Sequence, residues 1–346
     1  MSAPQVLFAI LILVAFAAVA IGTGIVRRYS LRNEVLDVPN ARSSHTVPTP
    51  RGGGLSIAIA AVAIEVMLAA SGGLPVDIAL ALAGGGLLVS VTGWIDDHRE
   101  LAAGWRAVVQ FAAAFWALYW LGGFPTLDVG VVTLRLGWLG IPLAALGIVW
   151  LTNLYNFMDG TDAFAGVQGL CGGLAGAAVL FAGGAPGLGT VSLTLAAASA
   201  GFLVWNWPPA RIFMGDVGSY LLGFSFAVLA LAGEHAGAYP AFGWSILLGV
   251  FVWDATFTLA RRVLRGEKWY SAHRAHAYQR IVQLGWSHRR LAGWAVLANV
   301  LVLWPLGWLV HLQRATLPAG ALAACLLMLA FWLSVMRAHA KRGTMP

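Results

Sequence analysis

The sequence predicts an all-α protein that crosses a membrane many times. Three observations carry this expectation. Hydrophobic residues make up 60% of the 346 residues, charged residues only 10%, and apolar runs long enough to span a bilayer recur along the chain. A soluble domain carries roughly 25% charged residues. With a mean hydropathy of +0.79, this chain has too little polar surface to cover a globule facing water.

The runs fall near residues 4–26, 54–71, 76–95, 105–123, 139–157, 164–183, 188–206, 217–233, 241–260, 291–311 and 317–336, about eleven spans. The first has no positive residue before it and Arg27 and Arg28 after it, the reverse of a secretory signal. This predicts a retained helix with its N-terminus outside and a cytoplasmic C-terminus. Alternation then puts segments 27–53, 96–104, 158–163, 207–216, 261–290 and the tail after 336 on the inside. Of the 21 Lys and Arg residues only Arg135 and Arg314 fall outside, so charge supports an orientation chosen from hydropathy. The same bias accounts for the net charge of +7 without a nucleic-acid partner. Between Phe124 and Trp138 the alternation around Gly130 suggests a small periplasmic β-hairpin. No repeat or linker divides the chain, which reads as one membrane domain, 1–346. Cys171 and Cys325 lie in separate apolar runs, a poor pattern for a disulfide or thiolate site.

In this topology the acids and histidines gather on one side. Asp96 and Asp97 end the third span, Asn153, Asn156, Asp159 and Asp162 cluster at the end of the fifth, and Asp216 opens the eighth. Carboxylates from several helix ends at one interface suit a divalent cation and phosphates. Adjacent ionised Asp96 and Asp97 repel unless a cation or other charge offsets them. An acid pair can also simply end a helix, and Asp216 in Phe213-Met-Gly-Asp-Val-Gly-Ser219 can be an ordinary N-cap. Asn153 and Asn156 share a helical face, where they can read a base or sugar edge or pack helices together. Ser271–Arg280 holds His273, Arg274, His276 and Arg280, closer to a phosphate clamp than to a zinc site. Asp37–His45, with Arg42 and His45, leads to Pro50-Arg51-Gly-Gly-Gly54; its glycines allow close approach to a phosphate or to a neighbouring helix. Glu65 lies mid-span, where a carboxylate is costly and should face the bundle.

These five segments, in this order, resemble the polyprenyl-phosphate N-acetylhexosamine-1-phosphate transferases, the MraY/WecA-like glycosyltransferase 4 type. The resemblance runs from Asp37 to Arg280. It implies Asp96, Asp97, His273 and His276 as catalytic residues, and Asp216 with Asp97 as ligands of Mg2+, for which Mn2+ could substitute. Asn153, Asn156, Asp159, Asp162, Phe213, Arg274 and Arg280 would bind the nucleotide-sugar. Arg42, His45 and Arg51 would form a phosphate and lipid loop. The His-Arg-x-x-His spacing at His273, with Asp254, Arg261, Arg262 and Gly266, resembles the O-antigen-initiating branch more than the peptidoglycan branch. One departure stands out: Asp162 is followed by Ala163, where many members have glycine.

The implied reaction moves an N-acetylhexosamine 1-phosphate from a UDP-sugar to undecaprenyl phosphate in the bacterial inner membrane, with the active site facing the cytoplasm. Membrane lipid is a partner, and the resemblance is compatible with a homodimer. Asp96 is the expected base in an in-line attack, with an aspartyl-phosphate route as the rival. A secondary transporter would place its charges near the midplane instead. The same residues are also compatible with a peptidoglycan-type transferase and with an inactive homologue.

Overall fold

The computed structural model describes residues 3–39, 47–267 and 274–343. Arg42, His45 and His273 lie outside these described residues. The chain folds as a helical bundle in which apolar helices supply their own backbone hydrogen bonds, as a lipid solvent demands. Helix α1 (Ala3–Arg32) is followed by a short antiparallel pair, β1 (Leu36–Asp37) and β2 (Thr49–Pro50), and by α2 (Leu55–Ala70). Next come α3 (Val76–Ala79) and α4 (Gly85–His98), joined by a π-helical turn into one run, then α5 (Ala103–Trp120). The expected hairpin is present as β3 (Leu127–Asp128) and β4 (Thr133–Leu134). It precedes α6 (Gly140–Phe157), α7 (Phe164–Ala182), α8 (Pro186–Asn206) and α9 (Asp216–His235). Last are α10 (Trp244–Leu247), α11 (Gly249–Leu264), α12 (Ala277–Gln283), α13 (His288–Ala298), α14 (Trp304–Leu312) and α15 (Leu317–Gly343).

Among the described residues, eight helical runs are long and apolar enough to cross a membrane. A ninth follows if α10 and α11, bent 92° apart, form one span. The expectation of about eleven crossings therefore narrows, by length and composition, to eight or nine. Helix α2 has 16 residues, and α5 carries Arg106 and Gln110 among its apolar residues; neither is among the eight. The bend between α10 and α11 is invisible to hydropathy, which reads 241–260 as one straight run.

The most enclosed helix is α9. All but its first and last residue are buried, and it packs against α6, α4 and α2. Small residues make this packing tight, as expected where helices associate by van der Waals contact in lipid. A Cβ on Gly54 would overlap the backbone of Gly218, and one on Gly93 would overlap the backbone of Asp216 and Val217. Gly54 thus serves close helix approach, the second of the two uses foreseen for these glycines. Glu65 is buried on the bundle side, and neither of its oxygens has a hydrogen-bond partner among the described residues.

At the far end of α9 the hairpin is strapped down by charge. Glu234 accepts from the N–H groups of Asp128 (2.9 Å) and Ala241 (2.6 Å), and Arg314 pairs with Asp128 at 3.3 Å. One of the two arginines expected outside therefore has a structural partner.

Candidate active site

The site is built around the first turn of α9. Gly215 enters it with φ +76°, a left-handed conformation that suits glycine, and a Cβ there would overlap the Asp97 carboxylate. Asp97, from the end of α4 and only 2% exposed, accepts from the backbone N–H groups of Asp216 (3.2 Å) and Val217 (3.5 Å). An acid from a different helix thus caps α9 and meets its positive end. Arg51 stands 3.9 Å from the same carboxylate, and its buried Nε has no hydrogen-bond partner among the described residues.

Asp96 is held from two sides. One oxygen accepts from Leu101 N–H at 2.7 Å, and the other pairs with the Arg106 guanidinium at 3.0 Å. Arg106 also reaches the Tyr220 hydroxyl at 3.4 Å. The Asp96 and Asp216 carboxyl groups lie within hydrogen-bonding reach of each other. Asn156 in α6 donates to Asp216 Oδ1 (2.8 Å) and Ser219 Oγ (3.0 Å). Helices α4, α5, α6 and α9 therefore each contribute one or more polar side chains to this spot.

Asp159, in the loop after α6, completes the negative cluster. Burial, followed by the charges of Asp216, Asp97, Asp37 and Asp162, pushes its carboxyl well above the ordinary carboxylate range. Unneutralised acids crowded this closely favour cations and protons alike. Among the described residues no three His, Cys, Asp or Glu side chains form a ready cation cage. Mg2+ does not require one, because it binds through one or two carboxylates and leaves its other positions to water and phosphate oxygens. The Asp216 carboxyl group, oriented by Asn156 and close to Asp96 and Asp97, fits that mode of binding.

Several other sequence-chosen residues fall in two neighbouring clusters. Asp162 accepts from Ala210 N–H at 3.0 Å and meets His288 Nδ1 at 3.2 Å, tying the loop after α8 to the start of α13. Ala163 has φ +63° and is fully buried, and its N–H donates to Asn206 at 2.8 Å. The alanine keeps the left-handed backbone that a glycine would adopt, at a cost of about 1–2 kcal/mol. The departure from the family pattern is absorbed locally.

In the second cluster Asp254 caps α12, accepting from Ala277 N–H (2.9 Å) and Tyr278 N–H (3.0 Å), with His276 Nδ1 3.8 Å away. The Tyr278 hydroxyl donates to Phe157 O at 2.9 Å, which seats α12 against the end of α6. Arg274 is half-buried just before it. The Arg280 pKa is lowered by burial and by Arg261 and Arg265 nearby, so this side of the site is cationic.

Asn153 does not join Asn156. It donates to Gln110 Oε1 at 2.6 Å and to Val149 O at 2.8 Å, joining α5 to α6. Phe213 is positioned through its backbone: its N–H donates to Pro50 O (2.8 Å) and its carbonyl accepts from Gly53 N–H (2.9 Å). Arg106 escapes a sequence reading that treats it only as a positive helix end. A signal is nonetheless present: Arg106 and Gln110 are four residues apart, so both lie on one face of an otherwise apolar helix.

Residues 79–234 match the family described as Glycosyl transferase family 4. A probable undecaprenyl-phosphate N-acetylglucosaminyl 1-phosphate transferase of Bacillus subtilis (strain 168) is 31% identical over 314 residues, covering 90% of this chain and 85% of the relative. The chain belongs to glycosyl transferase family 4. A decaprenyl-phosphate N-acetylglucosaminephosphotransferase of Mycolicibacterium smegmatis is 32% identical, covering 78% and 73% of the two chains. A phospho-N-acetylmuramoyl-pentapeptide-transferase of Moorella thermoacetica is 30% identical, covering 76% and 82%. The chain is therefore an enzyme of the phosphotransferase kind and a multi-pass membrane protein. N-acetylglucosamine phosphotransferases and phospho-N-acetylmuramoyl-pentapeptide-transferases both match, so membership is at the level of the family.

Steric intimacy at Gly93 yields a test. Gly93→Ala would force the α9 N-terminus away from α4, and overpacking of this kind costs about 1–3 kcal/mol. Because the displaced atoms belong to Asp216, turnover should fall at least ~10-fold, a loss that sub-ångström to ångström misplacement readily produces. Parallel thermal unfolding and transfer assays on the purified variant would measure both.

Proposed function

We propose that this enzyme transfers an N-acetylhexosamine 1-phosphate from a UDP-sugar to undecaprenyl phosphate, releasing UMP and starting a lipid-linked O-antigen or other cell-envelope glycan. The observation that carries the reading is the meeting of Asp96, Asp97, Asp216 and Asp159 with Arg51 and Arg106 at one end of the bundle. The names of the relatives supply the substrate classes. The working location is the inner membrane, with eleven crossings when α2, α5 and the bent α10–α11 pair are counted beside the eight longer runs, the N-terminus outside and this end of the bundle facing the cytoplasm, as the distribution of Lys and Arg supports.

An oxygen of the lipid phosphate attacks the β-phosphorus of the donor in line. The bond to the α-phosphate oxygen breaks, and UMP departs with the bonding electrons. Both reactants are anionic, so the barrier is chiefly electrostatic. Asp216, with Asp97 beside it, would hold a magnesium ion, which would supply charge neutralisation to the diphosphate. Arg106 and Arg51 offer guanidinium donors on the same side, and Asn156 holds the Asp216 carboxylate in orientation. Asp96 has both oxygens engaged, so its part is to position Arg106 rather than to act as a free base or nucleophile. A strong base is unnecessary because the second pKa of a phosphomonoester lies near ~6. Arg274, His276 and Arg280 flank the site as the cationic wall for the nucleotide-sugar.

The direct test incubates purified enzyme with polyprenyl phosphate, labelled UDP-N-acetylglucosamine and Mg2+. Expected are a lipid-soluble product and equimolar UMP, abolished by EDTA and restored by Mg2+ or Mn2+. Activity that survives EDTA would remove the metal from this reading. Absence of lipid product across a panel of UDP-N-acetyl amino sugars would remove the reaction.

A further inference from the structure

Away from the carboxylates, a second charged feature occupies the same end of the bundle. The end of α1, the loop after α8 and the start of α13 bring Arg27, Arg211 and Arg289 to one edge. Arg27 Nε donates to Arg211 O at 3.1 Å, and Arg289 Nε donates to Pro208 O at 2.9 Å. Arg27 and Arg211 both lie over the Trp205 ring, 5.9 and 6.0 Å from its centroid. Trp205 is itself anchored through its Nε1–H to Ala20 O at 2.7 Å. Among the described residues none of these three arginines is in an ion pair. Arg211 and Arg289 are exposed.

The surroundings of this edge are those of a bilayer interface. Trp207 is exposed beside Arg211, and on the helix faces leading to the edge Leu13, Phe16 and Val204 are 66%, 38% and 55% exposed. Tryptophan at the headgroup level, cations just beyond it and bare apolar side chains below form the pattern that receives a lipid. A free anion would have no use for the apolar part.

We propose that Arg27 and Arg211, steadied by Trp205 and supplemented by Arg289, form a binding site for the headgroup of an anionic phospholipid, whose acyl chains lie along the exposed face of α1. The phosphodiester sits between the two guanidinium groups, which present several N–H donors after the Arg27 Nε bond is counted. This site is separate from the carboxylate cluster and does not depend on the transferase reading.

Native mass spectrometry of the full-length protein in detergent tests it, with titration by phosphatidylglycerol or by phosphatidylcholine of the same chains. Wild type is expected to retain phosphatidylglycerol preferentially. Each arginine near a membrane surface contributes about fivefold in affinity, so R27Q/R211Q should weaken retention roughly thirtyfold. R27K/R211K should keep most of it, and R135Q at the hairpin should change nothing. Added salt should weaken retention in wild type, which keeps the test alive if the glutamine pair fails to fold. Equal retention of the two lipids, or unchanged binding in R27Q/R211Q, overturns the proposal. Displacement by inorganic phosphate beyond that caused by chloride at equal ionic strength overturns it as well, since the site would then be one for free anions.

Discussion

Asp216→Asn should abolish at least 99.9% of turnover, roughly a thousandfold loss, while the protein still inserts and folds. The substitution keeps the shape of the side chain and an oxygen that can accept from Asn156 Nδ2. It removes the negative charge that the proposed divalent ion requires. Loss of one charge at a helix N-terminus costs only about 0.3–1 kcal/mol. Relief of repulsion from Asp96 and Asp97 offsets part of that cost. Activity and stability should therefore separate, and transfer assays beside thermal unfolding of the purified variant would show it. Wild-type turnover in Asp216→Asn would remove it as the metal-binding carboxylate.

Asp97→Asn should damage both quantities. Its two oxygens accept from the N–H groups of Asp216 and Val217, so an amide would turn one acceptor into a donor facing a backbone donor. Loss of a cap of this kind costs about 1–2 kcal/mol. The change also discards the charge facing Arg51. Turnover should fall about 100-fold or more, because misplacing α9 misplaces Asp216. A stable Asp97→Asn protein with unaltered unfolding would contradict the capping role, and an active one would contradict the catalytic assignment.

The contrast between these two aspartates shows where sequence reading stops. That acids would gather at one end was legible, because a carboxylate in lipid is expensive and a chain with 14 Asp and Glu residues keeps few without a reason. Helical runs were legible for the same reason, since hydropathy reports the solvent. Hydropathy does not report direction, and so the 92° bend before α11 went unseen. Residue type also does not reveal partners distant in sequence. Asp162 groups with Asp159 by their spacing of three, yet its partner is His288. Asn153 groups with Asn156 in the same way, yet it faces Gln110. Arg106 looks like one more positive helix end until the fold places it on Asp96. The Gly52–Gly54 stretch allows two readings, and only the contact with Gly218 separates them.

Manganese bound to the purified enzyme in the presence of UDP gives the most direct test, because electron paramagnetic resonance reports both the ion and any phosphorus next to it. A single Mn2+ per chain with 31P coupling, lost in Asp216→Asn and kept in Asp128→Asn at the opposite end of the bundle, is the predicted result. Manganese binding that is indifferent to Asp216, or that shows no phosphorus coupling in wild type, would contradict the account.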